Sequence, residues 1–266
     1  MELKALQTER AAAVREFFPR PLQDNKSPAS QGELTTLGLV ELLLKDPAAA
    51  DRLNGQPAIQ RELFPRFLAI ALSSYLVYSL AMLLLLNFSP AVPTLFGLPL
   101  SPAHWSDGTA WSLPLAYTVS IVLAACVCLP SFYFYSLLAG LRIGWLQIVS
   151  LIGEGTAANS IMLLGVLPIY VAAMMGLVIF EAPVEAIAVA LDIGLLLPFV
   201  AGLWGLRAIY VGTMRLYDCQ AVVGQEQRRW LLRRLTFAWA AVYTAVLPIM
   251  IFRLWEFFAA SGSSTP

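Results

Sequence analysis

Asp192 is the residue of this sequence whose type and place most demand an explanation. It stands about seven residues inside a long apolar stretch, hence about 10 Å below its boundary at 1.5 Å per helical residue. An ionisable group at that depth is costly and faces either a bundle interior or a wet cavity. Glu185 lies seven residues earlier, close to the same helical face. Arg253, at the same side of the last apolar stretch, is a candidate ion-pair partner, and Tyr117 and Ser120 are candidate hydrogen-bond donors at comparable depth. Two chemistries follow. Asp192 is a satisfied structural carboxylate tying helices together, or Asp192 and Glu185 form an acidic path for a proton or cation.

A second constellation is basic. Arg228, Arg229, Arg233 and Arg234 surround Trp230 in the string QRRWLLRR. Such a row beside a membrane orients the chain and anchors it by snorkelling. It also attracts anionic headgroups, at about 1 kcal/mol per base near the surface.

Other chemistries are excluded by what the chain lacks. His104 is the only histidine, which rules out paired-histidine zinc or haem sites and disfavours a serine-protease dyad at membrane depth. There is no Gly-x-x-x-x-Gly-Lys-Ser/Thr phosphate loop. Cys126, Cys128 and Cys219 are too few and too badly spaced for a disulfide framework, and read as small packing residues. No Asp-rich metal motif supports a lipid-modifying enzyme. No metal, cofactor or nucleic-acid partner is expected.

These residues sit in an unusual composition. Of 266 residues, 59% are apolar and 13% charged, against about 45–50% and about 25% in soluble domains. Half the usual charge cannot cover a soluble globule of this size. A bilayer span needs about 20 predominantly apolar residues, and five stretches qualify, near 67–86, 113–138, 157–179, 186–206 and 235–254. The expected fold is an all-α polytopic membrane bundle of about five transmembrane helices with interfacial amphipathic helices. Pro130, Pro168, Pro198 and Pro248 fall inside four of these spans and should bend them. Ala172-x-x-x-Gly176 and Ala201-x-x-x-Gly205 would permit close helix contact. The aromatic run Phe132 to Tyr135 nears an interface, where such rings anchor.

Residues 1–62 form a charged N-terminal segment, read as cytosolic and carrying amphipathic helices. Helical spacing suggests one over about 2–18, ended by Pro19 and Pro21 and followed by a turn-rich linker at 24–32. Its mixed charges do not resemble a signal peptide, and no lipidation motif is expected at either end. The run Leu34–Leu44 is too short to span. It lies at the interface, packs on the membrane domain or forms the core of a small subdomain. Residues 140–155 are apolar and bounded by glycines. An interfacial helix with Trp145 at headgroup level fits them best, the alternative being an extension of the third span.

Charge then orients the membrane domain, 63–256. Arg61 and Arg66 precede the first span, and Arg142 lies in the second connection. Residues 207–234 hold six bases against two acids. The intervening connections carry Asp107, Glu181 and Glu185 and no base. By the positive-inside rule the N-terminus is cytoplasmic and the tail 257–266 is outside. Lysine-poor, Ala/Leu/Arg-rich usage suggests a bacterial cytoplasmic membrane.

This organisation resembles that of the Yip family of five-span membrane proteins across roughly 65–255. The strings that carry the likeness are LPSFYFYSLLAG running into an amphipathic stretch with Gln147, the mid-membrane LLGVLP, and FVAGLWGLRAIY closing the fourth span. The family's Asp-Leu-Tyr-Gly-Pro signature is not found. For eukaryotic members the resemblance implies GTPase binding, membrane shaping and trafficking; for bacterial ones it implies membrane residence. No functional residue is carried over.

The expected function is therefore a non-enzymatic scaffold or accessory subunit. It would bind a protein partner or a second copy through the N-terminal segment, and lipid through the interfacial helix and the arginine row. The alternative is a transporter or channel component using Asp192 and Glu185. Few polar residues besides Asp192 and Asn159 are available to line a path, which places the scaffold first.

Overall fold

The structure is a computed structural model that describes residues 35–45, 53, 57–89, 109–141, 143–218 and 225–262. The helix expected over 2–18, the linker, His104, Asp107, Arg142 and the last four residues lie outside the described residues. Six α-helices and one 3-10 turn are present among those described, and no strand. They are α1 (Thr36–Lys45), α2 (Pro57–Phe88), a 3-10 turn (Thr109–Trp111), α3 (Ser112–Leu138), α4 (Trp145–Ile179), α5 (Val184–Asp218) and α6 (Gln225–Gly262).

The chain divides into two compact units, Met1–Gly38 and Leu39–Pro266. Of the first, the described part is the start of α1, where Thr35 Oγ1 accepts the Gly38 N–H at 3.2 Å as an N-cap. In the second unit, Leu39 is buried in a cluster with Leu63, Phe67, Ile70 and Ala157. The run 39–45 thus packs on the long helices, one of the placements open to it.

Helices α2 to α6 are each long and apolar enough to cross a membrane. The protein is an all-α polytopic membrane bundle. Each helix exceeds its expected span, α4 and α5 reaching 35 residues, or about 52 Å against about 30 Å of hydrocarbon. The excess on α4 settles residues 140–155. Trp145 opens a single helix that runs unbroken to Ile179, so no separate interfacial helix exists there and the extension alternative holds. The physical reason is that Leu141, Ile143, Ile148, Leu151 and Ile152 are buried with Cys128, Phe132 and Trp239, so their apolar face meets protein.

Tight turns join the antiparallel pairs α3–α4 and α4–α5. After α3 the chain closes a Schellman motif: Gly140 at φ +83° donates its N–H to Leu137 O at 2.9 Å, and the Leu141 N–H reaches Ser136 O at 3.1 Å. After α4 the same motif recurs with Glu181 at φ 51°, its N–H on Val178 O and that of Ala182 on Leu177 O.

Packing follows two groups. Helix α4 lies between α2 and α5, and α3 pairs with α6; α2 and α3 join the groups, whereas α3 and α4 touch little. Prolines sit inside all five long helices, Pro65 being the fifth, and none ends its helix.

Candidate functional site

Of the residues expected to form a polar site, Tyr117 bonds to the helix that carries Asp192, whereas Arg253 pairs elsewhere. Asp192 is half-buried on α5, and its carboxylate lies within electrostatic reach of the Tyr170 phenol. Glu185 is exposed in the first turn of α5. Arg253 does not pair with Asp192. Its Nη1 contacts Glu256 Oε2 at 3.3 Å on the exposed surface of α6, because the i,i+3 neighbour is nearer than another helix. Tyr117 is buried, and its hydroxyl donates to Leu195 O at 3.0 Å. Ser120 turns back on its own helix, donating to Ala116 O.

Tyr117 belongs to an arrangement of tyrosine hydroxyls on the 190–195 stretch of α5, just before Pro198. A proline in a helix removes the N–H that the carbonyl four residues earlier would accept. For Pro198 that carbonyl is Gly194 O. The Tyr78 hydroxyl of α2 donates to it, Tyr117 of α3 to Leu195 O, and Tyr170 of α4 to Ala190 O at 2.8 Å. Three helices therefore bond to carbonyls of one short stretch of a fourth, residues 190–195 of α5. Gly194 makes room for this: a Cβ there would stand 2.5 Å from Tyr170 Cζ and 2.9 Å from Met82 Cε.

A second tie lies nearer the arginine-rich end. Asn159 Nδ2 of α4 donates to the Tyr75 hydroxyl of α2. One turn away α4 and α5 touch backbone to backbone, where a Cβ on Gly205 would come 2.6 Å from Gly155 O. On the other group, Trp239 Nε1–H of α6 donates to Cys128 O at 2.9 Å, and its ring stacks on Tyr243 at 5.4 Å.

The arginine row stands on the first turns of α6, with Arg228, Arg229, Arg233, Arg234 and Trp230 all exposed. Arg228 lies over the α3–α4 turn, its Nη1 3.1 Å from where a Cβ on Gly140 would be. Arg229 reaches Asp218 Oδ2 at 3.4 Å, and the Arg234 guanidinium sits 5.4 Å from the Trp230 ring centre. Cations at a helix N-terminus oppose the helix dipole, by about 0.3–1 kcal/mol each at an exposed site. Only Arg228 stands in the first turn of α6, where that penalty applies; Arg233 and Arg234 lie in the third.

Two clefts open on the flank. One of about 370 Å³ lies between α2, α3 and α4 and is apolar, lined by Phe64, Ala71, Ile121, Ala125, Trp145 and Gly153 among others. The other, about 380 Å³, lies between α1, α4 and α5. Leu43, Leu44, Met162 and Trp204 give it an apolar wall, and Glu154, Arg207 and Arg215 give it charge. Glu154 is 4% exposed. The Arg207 guanidinium lies 5.8 Å from the centre of the Trp204 ring.

Sequence reasoning passed over this cleft. It placed Glu154 in an interfacial helix and counted Arg207 and Arg215 only as part of the basic connection 207–234, for orientation and general attraction to anionic headgroups. The signal was present in Gly153-Glu154-Gly155: glycines on both sides of a carboxylate mark a helix that another element approaches closely. Among the described residues no group of three His, Cys, Asp or Glu side chains could hold a metal ion. No family model, curated protein or solved structure matches the chain.

Proposed function

We propose that this chain is a non-enzymatic scaffold or accessory subunit of a bacterial cytoplasmic membrane. Its N-terminus is cytoplasmic, where the N-terminal segment binds a protein partner or a second copy. The exposed row Arg228, Arg229, Arg233 and Arg234 with Trp230 engages anionic lipid at that face. One observation carries the reading: the hydroxyls of Tyr78, Tyr117 and Tyr170 are spent on bonds between helices, all converging on α5. A rigid platform needs such ties, whereas a transport path needs polar groups turned toward a cavity. The Yip-like layout is in keeping with this role.

The second reading, a transporter or channel component, is favoured by the depth of Asp192 on α5. Two measurements separate them. The scaffold reading expects a stoichiometric partner or a defined homo-oligomer after mild-detergent capture, and proton and cation flux in proteoliposomes no higher than in empty vesicles. A lone monomer would count against it. Flux that Asp192→Asn abolishes in a folded protein would replace it with the transport reading.

A further inference from the structure

The charge-free stretches of α4 and α5 begin at one level of the pair. Residues 155–179 of α4 carry no charge, and Glu154 is the last charge before them; residues 193–206 of α5 carry none, and Arg207 is the first after them. The two helices touch through Gly155 and Gly205 at that level. Glu154 and Arg207 therefore mark the hydrocarbon boundary on adjacent helices, and Arg215 lies eight residues, about 12 Å, further toward the α5 terminus. All three line the cleft between α1, α4 and α5.

We propose that this cleft is a site for one anionic phospholipid. Its phosphodiester lies between Arg207 and Arg215, and an acyl chain runs along Leu44, Met162 and Trp204. Charge selects the headgroup. Arg207 and Arg215 both line the cleft, and two guanidinium groups at headgroup level favour a phosphodiester anion over a zwitterionic headgroup. Arginine also suits phosphate because its planar fork presents paired donors, and the Trp204 face holds the Arg207 plane in place. Apolar continuity selects a lipid over a soluble phosphate. Leu44, Met162 and Trp204 are exposed at the cleft, and Val200 and Leu203 extend the exposed apolar face of α5 toward the membrane centre. Basic pockets between helices at headgroup level are a recognised form of lipid site. This site is separate from the arginine row of α6, and it borrows only membrane residence from the function proposed above.

The test is native mass spectrometry of the full chain released from mild detergent with phosphatidylglycerol and phosphatidylcholine supplied together. One phosphatidylglycerol should be retained in preference. Arg207→Gln and Arg215→Gln should each weaken retention about fivefold, and the pair about thirtyfold. Arg61→Gln, the same charge change outside the cleft, should have no effect. Val211→Trp fills the cleft with both arginines in place and should also abolish retention, which keeps the test open if the glutamine variants do not fold. Equal retention of the two lipids would overturn the site, as would retention that survives both the double substitution and Val211→Trp. Displacement by an equal concentration of inorganic phosphate would overturn the lipid assignment. None of these outcomes bears on whether a protein partner co-purifies.

Discussion

At the scale of single residues, the interior of this bundle is governed by one missing proton. Pro198 leaves Gly194 O without its intrahelical donor, and the Tyr78 hydroxyl supplies one from α2. Such bonds between membrane helices contribute about 0.6 kcal/mol on average and up to about 1.7. If the proline creates the need for the tyrosine, the two residues are energetically coupled. Tyr78→Phe should cost about 1 kcal/mol in the native chain. In a Pro198→Ala background, where residue 198 regains its N–H, the cost should fall by about 0.5 kcal/mol or more. Reversible unfolding in mixed micelles reads both. Equal costs in the two backgrounds would show that Tyr78 serves packing alone. Asp192, which looks more conspicuous in the sequence, enters this arrangement only from the side, near Tyr170.

Among the elements, glycine decides which helices meet. Gly155 and Gly205 bring α4 and α5 to backbone contact, since a Cβ at Gly205 would stand 2.6 Å from Gly155 O and 2.9 Å from Asn159 Cβ. Gly176, also on α4, has open space where its Cβ would be. The two small-xxx-small pairs of the sequence therefore differ in kind. Gly205→Leu should destabilise the bundle by about 1–3 kcal/mol, as overpacking does, and should disturb the Asn159–Tyr75 bond beside it. Gly176→Ala should stabilise by about 0.5–1 kcal/mol, because alanine loses less backbone freedom in a helix. Thermal unfolding in detergent measures both, and a loss of stability in Gly176→Ala would mean that this face of α4 is covered by something.

On the scale of the whole molecule, the orientation we propose rests on a few charges, and five helices are long and apolar enough to cross a bilayer. The arginines of α6 are exposed along its first three turns. A cytoplasmic N-terminus predicts a definite labelling pattern in a cysteine-free background. Glu181→Cys, in the α4–α5 turn, should react with an impermeant maleimide added outside intact cells. Gly144→Cys, in the α3–α4 turn, should react only after lysis. The reverse pattern would invert the topology and move both the arginine row and the phospholipid cleft to the outer face.

What the sequence determined by itself was the solvent, the number of crossings and the class of fold. These depend on sums over many residues: apolar stretches about 20 long, and too little charge for a water-facing surface. Such sums tolerate local error, so the spans at 67–86 and 113–138 lie within α2 and α3 as expected. Which residues touch was decided by tertiary structure alone. Spacing within one helix says that Asp192 and Glu185 share a face, but nothing about what opposes that face. Arg253 therefore found Glu256 on its own helix, Tyr117 found Leu195 O on another, and Tyr78 found the Gly194 carbonyl that Pro198 leaves without a donor. The stretch 140–155 illustrates the same limit. Its apolar residues satisfy an interfacial helix and a buried one equally well, and only the presence of Phe132 and Trp239 against them made it the start of α4. Partition into the membrane is a property of composition, whereas a site is a property of neighbours, and neighbours on different helices leave no periodic trace in the chain.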